Sequence, residues 1–170
     1  MSVLKGAMVT LRPAEADDVA TFVAIRSTPE VHHRWGGDDL LAEVREDLAE
    51  ADLHVYAIEY DGAVVGAIQW SAEDDPQYRH ASIDIYLHPD VHGRGLGTDA
   101  VRTLARHLFD DHNHHRLSID PAADNDAAIA SYTKVGFRPV GIMRQYERGP
   151  DGTWHDGLLM DLLADDLTMG

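Results

Sequence analysis

Two stretches of this chain bring together residue types that can do chemistry. Val91-His92-Gly93-Arg94-Gly95-Leu96-Gly97-Thr98 is a glycine-rich turn that runs into a helical pattern. Such a turn exposes backbone N–H groups, and the helix start adds the positive end of its dipole, so an anionic diphosphate is the fitting ligand. Arg94 adds a candidate cationic contact. Downstream, Asp120-Pro121 precedes Asn125, and the segment from Asp126 to Lys134 carries Ala128 and Tyr132 before Gly136-Phe137. An amide and a phenol therefore lie along one helix. Upstream, Asp84 interrupts the apolar alternation Ile83, Ile85, Leu87 on the strand that leads into the glycine turn. A charge there is costly unless it faces a wet cleft. Asp84 is a candidate base or an anchor for a cationic amine, the alternative being an outward residue on a solvated strand face.

Spacing separates this turn from other phosphate loops. A nucleotide P-loop needs Gly-x-x-x-x-Gly-Lys-Ser/Thr and a dinucleotide fingerprint needs Gly-x-Gly-x-x-Gly, whereas the sequence reads Gly-x-Gly-x-Gly with no Lys before Thr98. Taken alone, the glycines also suit an ordinary strand-to-helix turn.

With Asn125, Tyr132 and Gly136-Phe137 at their spacing, the turn resembles the acetyl-coenzyme A signature of the GCN5-related N-acetyltransferases. The resemblance implies a coenzyme site made by Ile85, Tyr86 and Leu87, by His92 through Thr98 (Gly93, Arg94, Gly95, Leu96 and Gly97 between them), and by Asn125, Ala128 and Tyr132. His92 stands where the family commonly has Gln or Arg, which leaves the loop's backbone role intact and its side-chain role open. Tyr132 falls where the family places a phenol near the coenzyme sulfur, as the proton donor; packing in the core is its other role. Asn125 is implied on the pantetheine amides, and it also suits the cap of the helix that follows.

Further features resemble the aminoglycoside 6′-N-acetyltransferases: Arg12-Pro13, Trp35-Gly36-Gly37, Tyr56, Gln69, Ile83-Asp84, and Asp120-Pro121 ahead of Asn125. That resemblance implies an acceptor site of Trp35, Tyr56, Gln69, Asp84 and Asp120, with Asp84 beside the reacting amine. Some of those enzymes use a tyrosine on the last strand as the acid; here Leu158-Leu159-Met160 occupies it. The implied activity is acetyl transfer from acetyl-CoA to a primary amine of a small cationic acceptor. Acylation of a polyamine or siderophore precursor, or a non-catalytic acyl-CoA sensor, are the competing readings.

Composition narrows the partners. The chain has 170 residues, 14 Lys plus Arg against 30 Asp plus Glu, and a formal net charge of −16. That charge repels nucleic acid and anionic membranes and attracts polycations such as polyamines or aminoglycosides. It also serves plain solubility or a high-salt proteome. The acids Glu73-Asp74-Asp75, Asp151 and Asp156 are candidates for a negative rim, or simply solvated surface. There is no Cys, so thiol catalysis and disulfides are excluded. The 11 histidines lack ligand spacing, so no metal is expected. No long apolar run or signal-like N-terminus is present, and a cytoplasmic location is the expectation.

The elements that must position these residues follow from periodicity. Met8 to Arg12 alternates as a strand, Asp17-Asp18 opens a short helix, Thr28 to Gly37 reads as a loop, and Asp38 to Asp52 as an acidic amphipathic helix. Val55 to Tyr60 and Val64 to Trp70 form a hairpin through Asp61-Gly62. Strand Ser82 to Leu87, the helix carrying Val101, Leu104, Ala105 and Leu108, and strand Leu117 to Ile119 make a parallel strand-helix-strand unit. A helix over Asp126 to Lys134, a strand over Phe137 to Val140, a turn at Gly149 to Gly152 and a return strand through Leu158 to Leu163 complete one α/β domain over 1–170, with a mixed central sheet flanked by helices. The last hairpin is also where a homodimer can pair.

Overall fold

The computed structural model describes residues 1–170. Its centre is one eight-stranded sheet in the order β1-β2-β3-β4-β5-β6-β8-β7. The strands are β1 (Leu4–Lys5), β2 (Thr10–Pro13), β3 (His54–Tyr60), β4 (Ala63–Glu73), β5 (His80–Leu87), β6 (Arg116–Ile119), β7 (Arg138–Arg148) and β8 (Trp154–Leu163). The helices are α1 (Val19–Arg26), α2 (Pro29–Trp35), α3 (Leu40–Ala49), α4 (Leu96–Asp110) and α5 (Asp126–Val135).

Local chemistry explains most of the boundaries. The β3–β4 turn places Asp61 at φ +50 and Gly62 at φ +80, the two left-handed residues that a tight hairpin needs. Asp39 caps α3 by accepting the Ala42 N–H at 3.1 Å, and Gly136 ends α5 at φ +121. Gly95, at φ +81, begins α4. Along α4, Leu96, Ala100, Val101, Leu104, Ala105 and Leu108 are buried at helical spacing, which seats the helix on the sheet.

The segment expected as a loop from Thr28 to Gly37 contains α2 instead. Thr28 is extended, Pro29 takes the first turn, His32, His33 and Arg34 occupy the last, and Gly36 follows at φ +64. Those are helix boundary signals, packed too closely to register as an apolar period. β7 is also longer than the expected Phe137 to Val140.

Strand alternation sends the core to both faces. Tyr56, Ile58, Ile68, Trp70 and Ile83 join α4 in one cluster; Val55, Ala57, Ala67 and Tyr86 join residues of α1 to α3 in the other. The one parallel pair, β5 with β6, is short. Only Ala81↔Leu117 and Ser82↔Ser118 are in register, whereas β5 stays paired with β4 through Leu87. The sheet thus opens between Ile83–Leu87 and the end of β6. Both helices that follow these strands, α4 and α5, start at this notch, the place where open α/β sheets bind ligands.

Candidate active site

Two cavities meet in the notch. The first, about 360 Å³, is lined by Ile85, Tyr86 and Leu87, by His92, Gly93, Gly95, Leu96, Gly97 and Thr98, and by Asn125, Ala128 and Tyr132. These are the expected coenzyme residues with one departure: Arg94 is exposed and lines neither cavity. Gly93 and Gly95 take φ +76 and +81, and a Cβ on Gly93 would meet nothing within 4 Å. Backbone conformation, not crowding, requires glycine at Gly93.

The loop is braced from three sides. The His92 ring donates through Nε2 to the Leu87 carbonyl at 2.8 Å, so the side chain ties the turn to the end of β5. Thr98 Oγ1 and Ser131 Oγ lie 2.7 Å apart, joining α4 to α5. Buried Asp99 accepts the N–H groups of Ala7, Met8 and Val9 at 3.0, 2.8 and 2.9 Å. Its charge is thereby spent on the β1–β2 turn, and the first N–H groups of α4 remain for an anion. A glycine cradle, a helix start and a roomy apolar groove beside β5 fit a coenzyme that carries a diphosphate and an extended arm.

The second cavity, about 540 Å³, contains Asp84, Asp120, Tyr146 and Glu147. Arg34, Trp35, Ile85, Asn125, Ala128 and Tyr132 line both cavities and form the neck between them. Asp84 is open to the water of the cleft yet walled by protein. Burial first, then the charges of Asp120, Glu147 and Asp47, push its carboxyl up to about 7. Glu147 is raised in the same way, by burial and by Asp120. Tyr132 is 9% exposed, and burial followed by Asp84 and Asp120 holds its phenol above the ordinary range. Asn125 caps α5 by accepting the Ala128 N–H at 3.3 Å while lining the neck, so the two roles considered for it are compatible.

Trp35 belongs to this neck. Its ring meets Tyr86 edge-on at 4.9 Å, and the buried Arg26 guanidinium lies 5.5 Å over it. Arg26 also donates to the Gly36 carbonyl at 3.2 Å, so α1 holds both the indole and the glycine after it.

Two expected acceptor residues are not brought to the cavity. Tyr56 is 1% exposed and packs in the α4-side core. Val55, Gln69 and Asp84 are cross-strand partners and share a face; Tyr56, one residue on, points through the sheet to the other side. Gln69 is on the correct face, directly opposite Asp84, but lines neither cavity. The expected rim is also dispersed. Glu73 bonds the Asp75 N–H at the far end of β4, and Asp151 is held by Thr153 and His155 in the β7–β8 turn.

Sequence reading missed Arg34, Tyr146 and Glu147. Arg34 pairs with Asp124 at 2.7 Å across the neck. The Tyr146 hydroxyl donates to Asp120 at 2.7 Å, which lifts the phenol to about 12. No local pattern marks these residues: Arg34 is brought to the neck by α2, within the segment expected as a loop, and Tyr146 and Glu147 reach the cavity at a break in the β7 register.

Residues 8–138 match the family model described as "Acetyltransferase (GNAT) domain". The chain belongs to the GNAT acetyltransferase family. As a GNAT enzyme it is an N-acetyltransferase that uses acetyl-CoA. It is 31% identical over 164 residues to aminoglycoside N(6′)-acetyltransferase type 1 of Klebsiella pneumoniae, covering 85% of this chain and 79% of that one. Spermidine N(1)-acetyltransferase of Escherichia coli K12 is 27% identical over 145 residues, covering 81% and 77%. A solved structure of aminoglycoside acetyltransferase AAC(6′)-Ib in complex with coenzyme A superposes with a TM-score of 0.76 at 27% identity, covering 93% of this GNAT chain and 96% of that one. No helix is long and apolar enough to cross a membrane.

Proposed function

We propose that this acetyltransferase acetylates a primary amine of a small polycation, with the 6′-amino group of an aminoglycoside as the leading acceptor. The observation that carries the reading is the carboxylate-walled cavity of Asp84, Asp120 and Glu147, which joins the coenzyme groove at a neck lined by Tyr132. Arg34 is the one basic side chain lining it, and its charge is matched by Asp124. An acceptor with several ammonium groups replaces the repulsion among these acids with attraction. The similarity to an aminoglycoside N(6′)-acetyltransferase over most of both chains supports the choice.

The reaction needs a free amine, an acetyl thioester and a proton for the departing thiolate. Asp84, near 7, is matched to take a proton from an ammonium at neutral pH, directly or through water. The nitrogen then forms its bond to the acetyl carbon as the carbon–sulfur bond breaks. The new amide sheds the nitrogen's second proton, and the thiolate takes one up. Tyr132 stays protonated at this pH and can donate to the sulfur. Its phenol is a weaker acid than a thiol of pKa about 8.5, so a hydrogen bond is favoured over full transfer.

A linear polyamine is the second reading, favoured by the spermidine acetyltransferase relative. A thiol-release assay over aminoglycosides, spermidine, spermine and simple monoamines, with products read by mass, decides. Turnover fastest on an aminoglycoside with the acetyl group at the 6′ nitrogen is expected; preference for spermidine selects the second reading. Tight acetyl-CoA binding with no thiol release from any amine would overturn both in favour of an acyl-CoA sensor.

A further inference from the structure

The acceptor cavity depends on an interruption in β7. Pairing with β8 runs Met143↔Gly157 and then Glu147↔His155, so Arg144, Gln145 and Tyr146 bulge opposite Asp156. Gln145 sits at φ +49, a conformation unfavourable for a residue with a side chain and therefore in need of support. Support comes from the Asp156 carboxylate, which accepts the Gln145 N–H at 2.8 Å. The next residue, Gly157, leaves space for the result: a Cβ there would lie 3.1 Å from the Tyr146 ring and 3.3 Å from the Met143 methyl.

The same stretch of β8 holds the opposite wall. The Asp156 carbonyl accepts the Ala123 N–H at 2.9 Å, and the Leu158 N–H donates to the Pro121 carbonyl at 2.9 Å. Ala122 bridges to Gly157 between them. Asp120 enters the cavity from the start of this segment, Tyr146 from the bulge and Glu147 from the residue at which pairing resumes. Asp156 itself lines neither the acceptor cavity nor the coenzyme groove.

We propose that Asp156 is a positioning residue for the acceptor: its carboxylate fixes the β7 bulge and its carbonyl the 121–123 segment, setting the distance between Asp120 and Glu147. It works through a hydrogen bond to a main-chain N–H, not through charge presented to the substrate. The proposal rests on reading the acidic cavity as the acceptor site.

Two variants separate bond from charge. Asp156→Ala removes the acceptor of the Gln145 N–H, whereas Asp156→Asn keeps an oxygen for it and loses the charge. In hydrogen exchange of the free protein, the amides of 144–147 should exchange about tenfold faster in Asp156→Ala, stay near wild type in Asp156→Asn, and leave 92–98 unchanged in both. In kinetics, Asp156→Ala should raise the acceptor KM about five- to tenfold with kcat and acetyl-CoA affinity nearly unchanged, and Asp156→Asn should recover most of it. Unaltered exchange in the alanine variant overturns the clamp. An asparagine variant as impaired as alanine overturns the bond in favour of direct charge. Wild-type protein that acetylates no amine overturns the acceptor reading, while the exchange measurement still decides whether Asp156 holds the bulge.

Discussion

Asp84 at the notch end of β5 and Asp120 just beyond β6 face the same cavity from strands that separate after Ser82 and Ser118. Two carboxylates that share a partly enclosed space cannot ionise independently. Burial and this neighbour together hold Asp84 near 7.

The activity should therefore follow an ionisation near neutrality. As pH rises through about 7, Asp84 loses its proton and kcat/KM for an amine should climb to a plateau. Asp84→Asn should abolish that limb and lower turnover by about two to four powers of ten, with coenzyme affinity nearly unchanged. A loss confined to acceptor KM would make Asp84 an anchor instead. Wild-type values in both parameters would remove it from the reaction.

Tyr132 should matter less. Its raised phenol offers the sulfur a hydrogen bond more readily than a proton, so Tyr132→Phe should lower kcat about tenfold to a hundredfold and leave acetyl-CoA affinity alone. Steady-state kinetics at saturating coenzyme tests this, and an unchanged kcat would return the ring to packing against Phe137.

For the glycine turn, the sharpest substitution is Gly97→Glu. A Cβ there would lie 3.5 Å from Leu87 and 3.7 Å from Ser131, so a side chain points into the glycine-lined groove without colliding with backbone. The variant should fold and lose acetyl-CoA binding, by obstruction and by a negative charge at the start of α4. Calorimetry showing undiminished affinity in a folded variant would move the diphosphate elsewhere.

Far from the site, His114 is 5% exposed with Nδ1 unpartnered. Burial first, then Arg79 and His112, lower its pKa to about 4. The folded state thus binds this proton less readily than the unfolded chain, whose histidine titrates near 6.5. The contribution to stability is complete above about pH 6.5 and is lost as pH falls toward 4. Thermal melts should show His114→Leu losing about 4–7 °C less than wild type between pH 7 and 5. Parallel losses in the two proteins would discharge His114 from the acid transition.

Much of this protein is legible in short windows of its sequence. The Asp61-Gly62 hairpin, the glycine turn before α4, the Asn125 cap and the Gly136 stop all act within a few residues, so residue type alone announces them. Asp84 was visible because a charge breaks an apolar strand. α2 was not, since its seven residues carry boundary signals but too little apolar period to stand out. Register and distant pairing decided the rest. One step along β3 turns Tyr56 into the core while its neighbour Val55 shares a face with Asp84. A bulge held by Asp156 turns Tyr146 and Glu147 toward Asp120. The elevated pKa of Asp84 exists only once β5, the end of β6 and β7 enclose one volume. Local preferences act over a turn of chain; a cavity's shape and field are properties of segments as distant in the chain as Arg34 and Glu147, and only folding brings them together.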